Sequence, residues 1–428
     1  MYPAISWRPV LAACLFNGIV LAAAVAAPAA PPAPPPGPAR APSATGADPA
    51  LLAQIREVLE GNPGIAAARA AVEAAAARQR AADRPLYNPE VSLEAENGET
   101  STLSLGLDQT IDWTGKRGDR GERAGRELDA LRAELEARRQ SVAHELLTAL
   151  GRYQAARSLQ DLAQRRDRLM QRFLELAEKR RRTGDLGQVE LDLARLAAVQ
   201  ARLQYAQAAA ETARAAHDLA SVAGTDGRDW PALPEDLPVP EAWDADAILA
   251  ELPAVRAQQA RIAAARATVS LRSHQTRPDP TVGIRGGREG EDALIGVSLS
   301  MPLYLRNNFQ AEVDAANAEL IQAEREGQDL YRRARARLES AAERYRLAHA
   351  AWDTWRRAGQ PSIASQVQVL ERIWRAGELS TADYLVQLRQ TLDTRADALA
   401  VRGRLWTAWF DWLAASGRID DWVGTAGQ

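Results

Sequence analysis

A chain of 428 residues with 53 Lys and Arg against 56 Asp and Glu has a formal charge of −3, which argues against a nucleic-acid binder, whose surface would be basic. One cysteine, Cys14, and four scattered histidines exclude a disulfide framework and any thiolate or paired-histidine metal site. Apolar residues make up 46% of the chain but aromatics only 5%, so long helices joined along narrow seams are expected rather than a thick core.

Residues 1–26 read as a secretory signal peptide. Arg8 is the only charge before Arg40, Val10 to Ala27 is apolar, and Ala24-Val25-Ala26 is a small-residue cleavage site. An uncleaved anchor is the alternative. Leu11-Ala12-Ala13-Cys14 also has the form of a lipobox, although most of the apolar stretch lies beyond the cysteine. Residues 27–48 form a Pro/Ala-rich extended linker.

From residue 49 onward the chain is a duplication. Asn88-Pro89-Glu90-Val91 matches Asp279-Pro280-Thr281-Val282 at a shift of 191, and Arg182-Thr183-Gly184-Asp185-Leu186 matches Arg375-Ala376-Gly377-Glu378-Leu379 at 193. The repeats span 49–224 and 244–417, joined by a proline-rich segment 225–243 and trailed by a tail 418–428. In the first repeat, Gly118 to Arg182 contains no proline and places apolar residues at 128, 131, 135, 142, 146, 150 and 153, a coiled-coil seam. Such a helix runs about 97 Å at 1.5 Å per residue. The stretches 187–223 and 244–277 predict two stacked helices returning over a similar span. In the second repeat, 306–376 descends, with a kink expected at Pro361, and 380–416 with 49–84 returns.

Between the helices, residues 91–97 and 101–113 alternate apolar with polar or small residues, as do 281–287 and 293–302. That pattern suits a membrane barrel with a wet interior, or a half-buried hairpin of a soluble sandwich. In the barrel, Glu94, Glu96, Asp108 and Asp112 would line the lumen. Four strands cannot close a barrel that needs at least eight, whereas three copies supply twelve. Tyr87, Trp113 and Tyr304 flank the strands where an interfacial aromatic belt would lie, and Lys116 and Arg117 could reach lipid headgroups.

These residues resemble the TolC family of outer-membrane efflux ducts from about Pro49 to Gly417. Leu105 to Arg117, with Trp113-Thr114-Gly115-Lys116-Arg117 at its end, looks like the strand-to-helix junction of the heavy-metal-efflux, CzcC-like branch, with Thr110 and Thr114 where that branch carries prolines. The resemblance implies a homotrimer with a twelve-stranded barrel in the outer membrane and a helical tunnel in the periplasm. It also implies a periplasmic adaptor and an inner-membrane RND-type pump as partners. The mixed, mainly α fold class goes with it: an antiparallel coiled-coil tunnel plus four strands per protomer.

The two hairpin tips are candidate adaptor-docking sites: Arg182, Gly184, Asp185, Leu186 and Gly187 in one, Arg375, Gly377, Glu378, Leu379 and Ser380 in the other. Glycine at each helix end and Ser380 or Thr381 as a cap would equally make two plain turns. Glu190 and Asp383, six residues after each glycine, are aperture candidates, with Val386 where the family has a second acid. Trp113, Gly115, Lys116 and Arg117 form the candidate barrel–helix junction. No nucleophile–base pair or ligand cluster points to catalysis, and no cofactor is expected. A passive efflux duct for heavy-metal cations is the expectation. The same duct for organic drugs or secreted polypeptides, or a periplasmic coiled-coil scaffold, are the alternatives.

Overall fold

The computed structural model describes residues 48–98, 101–225, 228–240 and 242–424. The expected signal peptide and all of the Pro/Ala linker except Asp48 lie outside them. Asp48 caps helix α1 (Pro49–Gly61) through the Ala50 N–H. Asn62 caps α2 (Pro63–Ala82) by accepting from Gly64 and Ile65. The sequence suggested one helix over 49–84. It is two because Pro63, lacking an N–H, ends one helix and starts the next. Pro253 divides the second repeat in the same way, into α5 (Ala245–Glu251) and α6 (Pro253–Gln275).

Helix α3 (Lys116–Thr183) is continuous for 68 residues, about 102 Å, and α4 (Gln188–Ala223) returns alongside it. Its counterpart is interrupted. Helix α7 (Gln310–Thr354) passes through a π-helical turn, Trp355–Gly359, into α8 (Gln360–Arg375). Pro361 cannot donate to the carbonyl of Arg357 and its ring crowds it. The irregularity therefore falls one turn upstream of the proline, where Gln360 N–H reaches back five residues to Trp355 O. The Trp355 ring covers Gly359 closely enough to leave no room for a Cβ. Helix α9 (Thr381–Ala415) returns, and α10 (Ile419–Val423) closes the described chain. Helices α2, α4, α6 and α9 pack on α3, while α6 and α9 also pack on α7.

Two cores hold the helices. Near the tips, Phe173, Trp374 and Tyr384 stack at 4.6–5.2 Å between α3, α8 and α9. Burial pushes the Tyr384 hydroxyl up to about 12. The larger core is where the inter-repeat segment crosses the bundle. Leu146, Leu147 and Leu150 of α3 meet Tyr345 of α7 and Trp406, Trp409, Phe410 and Leu413 of α9. Leu233 and Leu237 of the segment cover them, and Trp406 Nε1 donates to Pro234 O at 3.1 Å. Residues 418–424, anticipated as a tail, instead bury Ile419, Trp422 and Val423 in this core.

Strands β1 (Glu90–Asn97), β2 (Ser101–Thr110), β3 (Thr281–Glu289) and β4 (Asp292–Ser300) form one antiparallel sheet in that order. β2 stops three residues short of Trp113, because Asp112 leaves the ladder to cap α3. Register puts Val91, Leu107, Ile284 and Val297 in one row, and Leu93, Leu105, Gly286 and Ile295 in the next row on the same face. The intervening row, Ser92, Gly106, Arg285 and Gly296, faces the other way. The apolar face is exposed, with Ile295 at 87%. The polar face is crowded: Ser104 is buried, Asp108 accepts from Ser92 and Ser298, and Arg285 lies over Gly296 within 3.7 Å of Glu94.

Glycine is required at 287, where a Cβ would run into Leu103 O and come within 2.6 Å of Ser104 Cα. Backbone cannot yield as a flexible side chain can. Gly287→Val is therefore expected to cost at least the upper end of the ~1–3 kcal/mol typical of overpacking. Loss of strand signal in infrared spectra alongside retained helix would register it.

Candidate functional site

The strand–helix junction is organised around Asp279, the second-repeat counterpart of Asn88. Its carboxylate accepts from Lys116 Nζ at 2.9 Å and from Tyr87 OH at 2.7 Å, and Lys116 also donates to Arg277 O at 2.7 Å. The Lys116 and Asp279 side chains are 5% and 3% exposed. Lys116 is thus not a headgroup anchor: a buried ammonium held by a buried carboxylate cannot reach lipid. Tyr87 is half-buried, with its hydroxyl committed to Asp279. Burial, then the hydrogen bond to Asp279 and its charge, pushes the phenol well above its ordinary range.

Asp112 does not line the sheet's polar face. It accepts from the N–H groups of Lys116 at 3.0 Å and Arg117 at 2.7 Å, where Gly115, at φ 81°, starts α3 without a side-chain cap of its own. A carboxylate here also opposes the positive end of the helix. Trp113 remains exposed, its ring fixed by Nε1 donation to Pro278 O at 2.8 Å. Arg117 is exposed, and its guanidinium has no partner among the described residues.

At the first tip, Gly184 takes φ 88°, and Asp185 N–H returns to Arg180 O at 2.9 Å, closing a Schellman turn. Thr183 donates to Asp185 at 2.7 Å, Leu186 is buried, Gly187 caps α4, and Arg182 is exposed. The Glu190 carboxylate folds back over Gly187. At the second tip, Gly377 takes φ 79°, and Glu378 N–H returns to Ile373 O at 3.2 Å. Leu379 packs into the tip core, and Ser380 caps α9. Ser380 Oγ accepts from the Asp383 N–H at 3.1 Å and donates to Asp383 Oδ2 at 2.6 Å. Asp383 is therefore an exposed first-turn acid tied to the α9 N-cap through the Ser380 hydroxyl.

Sequence reasoning missed the contact that joins the tips. The Arg180 guanidinium lies 4.7 Å from the Trp374 ring centre and donates to Arg375 O at 3.0 Å, the end of the other descending helix. Only the Arg180–Arg182 run hinted at it. A second missed cross-link joins α3, α7 and α9: Asp411 accepts from His144 at 2.8 Å and pairs with Arg344 at 3.2 Å. The hydrogen bond from His144 holds its carboxyl below the usual range, against burial and with help from the charges of His144, Arg344 and Arg152. A depressed carboxylate contributes stability that is present above the unfolded-chain pKa and lost as pH falls through the folded one. Asp411→Asn should therefore melt below the parent protein at pH 6, the gap shrinking as pH falls below about 4.

Residues 54–225 match the outer membrane efflux protein family. No curated protein matches the chain. Among solved structures, the chain is similar to CusC, described as forming a transmembrane channel, at 18% identity and TM-score 0.72, covering 87% of this chain and 92% of that one. It is similar to the outer membrane channel CmeC of Campylobacter jejuni at 17% identity and TM-score 0.71, covering 87% and 86%. The outer membrane protein VceC of Vibrio cholerae gives 18% and 0.70, covering 86% and 96%. The first repeat thus matches the outer membrane efflux protein family, and the described chain has the fold of the outer-membrane channels: a mainly helical hairpin bundle with one four-stranded antiparallel sheet.

Proposed function

We propose that this chain is the outer-membrane channel of a tripartite efflux pump, working as a passive conduit and not as an enzyme. The carrying observation is the sheet: one face is apolar and exposed across its central rows, with Gln109 and Arg288 toward its two ends, the other is built mainly of glycine, hydroxyl residues and charge, and its outer edges on β1 and β4 have no partner among the described residues. A lone sheet with two open edges is unstable in lipid, which supplies no hydrogen bonds. Three copies placed edge to edge give twelve strands and leave none open.

The helices support the same assembly. Helix α9 is packed on both flanks, by α3 and by α7 and α8, whereas its counterpart α4 packs mainly on α3, with a small contact to α9, and exposes Val189, Leu196 and Leu203 along one stripe. The α7–α8 arm of another copy is the occupant that repeat symmetry assigns to that stripe. Chemical cross-linking of the protein in its native membrane should capture trimers in the outer-membrane fraction. A monomer in the soluble periplasmic fraction would sink this function and favour a scaffold.

In this reading the hairpin tips meet a periplasmic adaptor fed by an inner-membrane pump, and Glu190 and Asp383 border the aperture. Both acids also serve their own helix starts, so their substitution tests turn and aperture together. Heavy-metal cations are the proposed cargo, on the likeness of Leu105 to Arg117 to the CzcC-like junction. Deleting the gene and measuring growth on cobalt, zinc, cadmium, copper and silver salts, beside dyes and detergents, separates the cases. Metal hypersensitivity alone supports this cargo; sensitivity to organics alone transfers the duct to drug export.

A further inference from the structure

A groove of about 610 Å³ lies where the α2–β1 connection meets the start of α3, lined by Asp83, Tyr87, Gln109, Asp112 and Arg117 among others. Three observations define its chemistry. First, it sits at the end of the apolar face. Gln109 within it has the alternation parity of Leu105 and Leu107, and Leu86, Ile111 and Trp113 beside it are exposed. Second, two of its charges are uncommitted: neither the Arg117 guanidinium nor the Asp83 carboxylate has a side-chain partner among the described residues, while Asp112 is spent on the α3 backbone and Tyr87 on Asp279. Third, Gly115 and Gly118 leave open space where side chains would stand.

One free cation and one free anion at the edge of an apolar band match a ligand with a phosphate and a primary ammonium joined by a short link, attached to acyl chains. We infer that the groove binds the headgroup of a zwitterionic aminophospholipid, phosphate toward Arg117 and ammonium toward Asp83, with the acyl chains along Leu86, Ile111 and the Trp113 ring. Arg117 then does what Lys116, locked to Asp279, cannot. A phosphate–guanidinium contact is charge-assisted and directional. An ammonium that can donate three hydrogen bonds is distinguished from a quaternary one, which donates none. The inference rests on the reading that the apolar face meets lipid.

Native mass spectrometry of the full-length, detergent-purified protein, incubated in turn with phosphatidylethanolamine, phosphatidylcholine and phosphatidylglycerol, tests it. Phosphatidylethanolamine should be retained about tenfold better than either competitor, a difference of about 1.4 kcal/mol. Asp83→Asn should bring it down to the level of phosphatidylglycerol. Arg117→Gln should remove retention of all three. Thermal unfolding of both variants, unchanged from the parent, separates these effects from misfolding. Equal retention of the three lipids, or retention indifferent to both substitutions, overturns the headgroup site while trimers in the outer-membrane fraction leave the channel intact. Recovery of the parent protein from the soluble fraction overturns both.

Discussion

Lys116→Met should destabilise the protein by about 3–5 kcal/mol, the cost of leaving one partner of a buried ion pair uncompensated. Asp279 would retain only the Tyr87 hydroxyl. Its second oxygen is already buried without a partner, so the carboxylate has no further donor to fall back on. Lys116→Met with Asp279→Asn should recover most of the loss, since a neutral amide needs no counter-charge and still accepts from Tyr87. Urea unfolding of the single and double variants reads the difference directly. A single variant as stable as the parent would mean that Lys116 and Asp279 are solvated and unpaired. The pair also ties the first repeat's strand–helix turn to the second repeat's helix–strand connection between α6 and β3, so the single variant should loosen β2 and β3 before the distant tips.

Trp409→Ala is the second large effect, again about 3–5 kcal/mol for removing a buried aromatic. Trp409 is 1% exposed, stacks on Trp412 at 5.2 Å and lies 4.9 Å from the Tyr345 ring. Its indole N–H is buried without a partner, so Trp409→Phe deletes an unsatisfied donor along with some volume. That variant should lose far less than the alanine variant, under about 1.5 kcal/mol. Calorimetric melting of both distinguishes lost packing from lost hydrogen bonding. Equal losses would place the importance in the N–H instead.

The regular parts of this fold are written locally. Alternation over residues 91–97 and a 3–4 spacing over 128–153 need no distant partner to be read, and the structure has strand and helix there. Proline and glycine marked the helix breaks, although Pro361 pointed one turn too low because the helix widens ahead of the residue that cannot donate. What sequence reasoning missed depends on residues far apart in the chain. Lys116 next to Trp113 and Arg117 looks like an interfacial anchor; only Asp279, 163 positions away, makes it an interior residue. The same holds for Arg180 with Trp374 and for His144 with Asp411. The low aromatic content was also misleading as an average. Three of the eleven tryptophans lie within Trp406–Trp412, where the inter-repeat segment crosses, so a chain poor in aromatics still builds one aromatic core.

The π-helical turn at Trp355–Gly359 works as a phase slip. Above it, α7 buries Ala334, Leu338, Ala341 and Tyr345, steps of four, three and four. Continued unchanged, that rhythm arrives at positions 369 and 373, yet among the described side chains of α8 the buried ones are Leu370 and Trp374. One surplus residue would swing everything beyond it through about 100° on a regular helix, turning Trp374 away from Phe173 and Tyr384. Taken up inside a single wide turn, the surplus never reaches the tip. The second arm therefore keeps step with its neighbour while the number of residues between sheet and tip differs from that of the first arm, and the two halves of a duplicated chain can drift in length without losing their common seam.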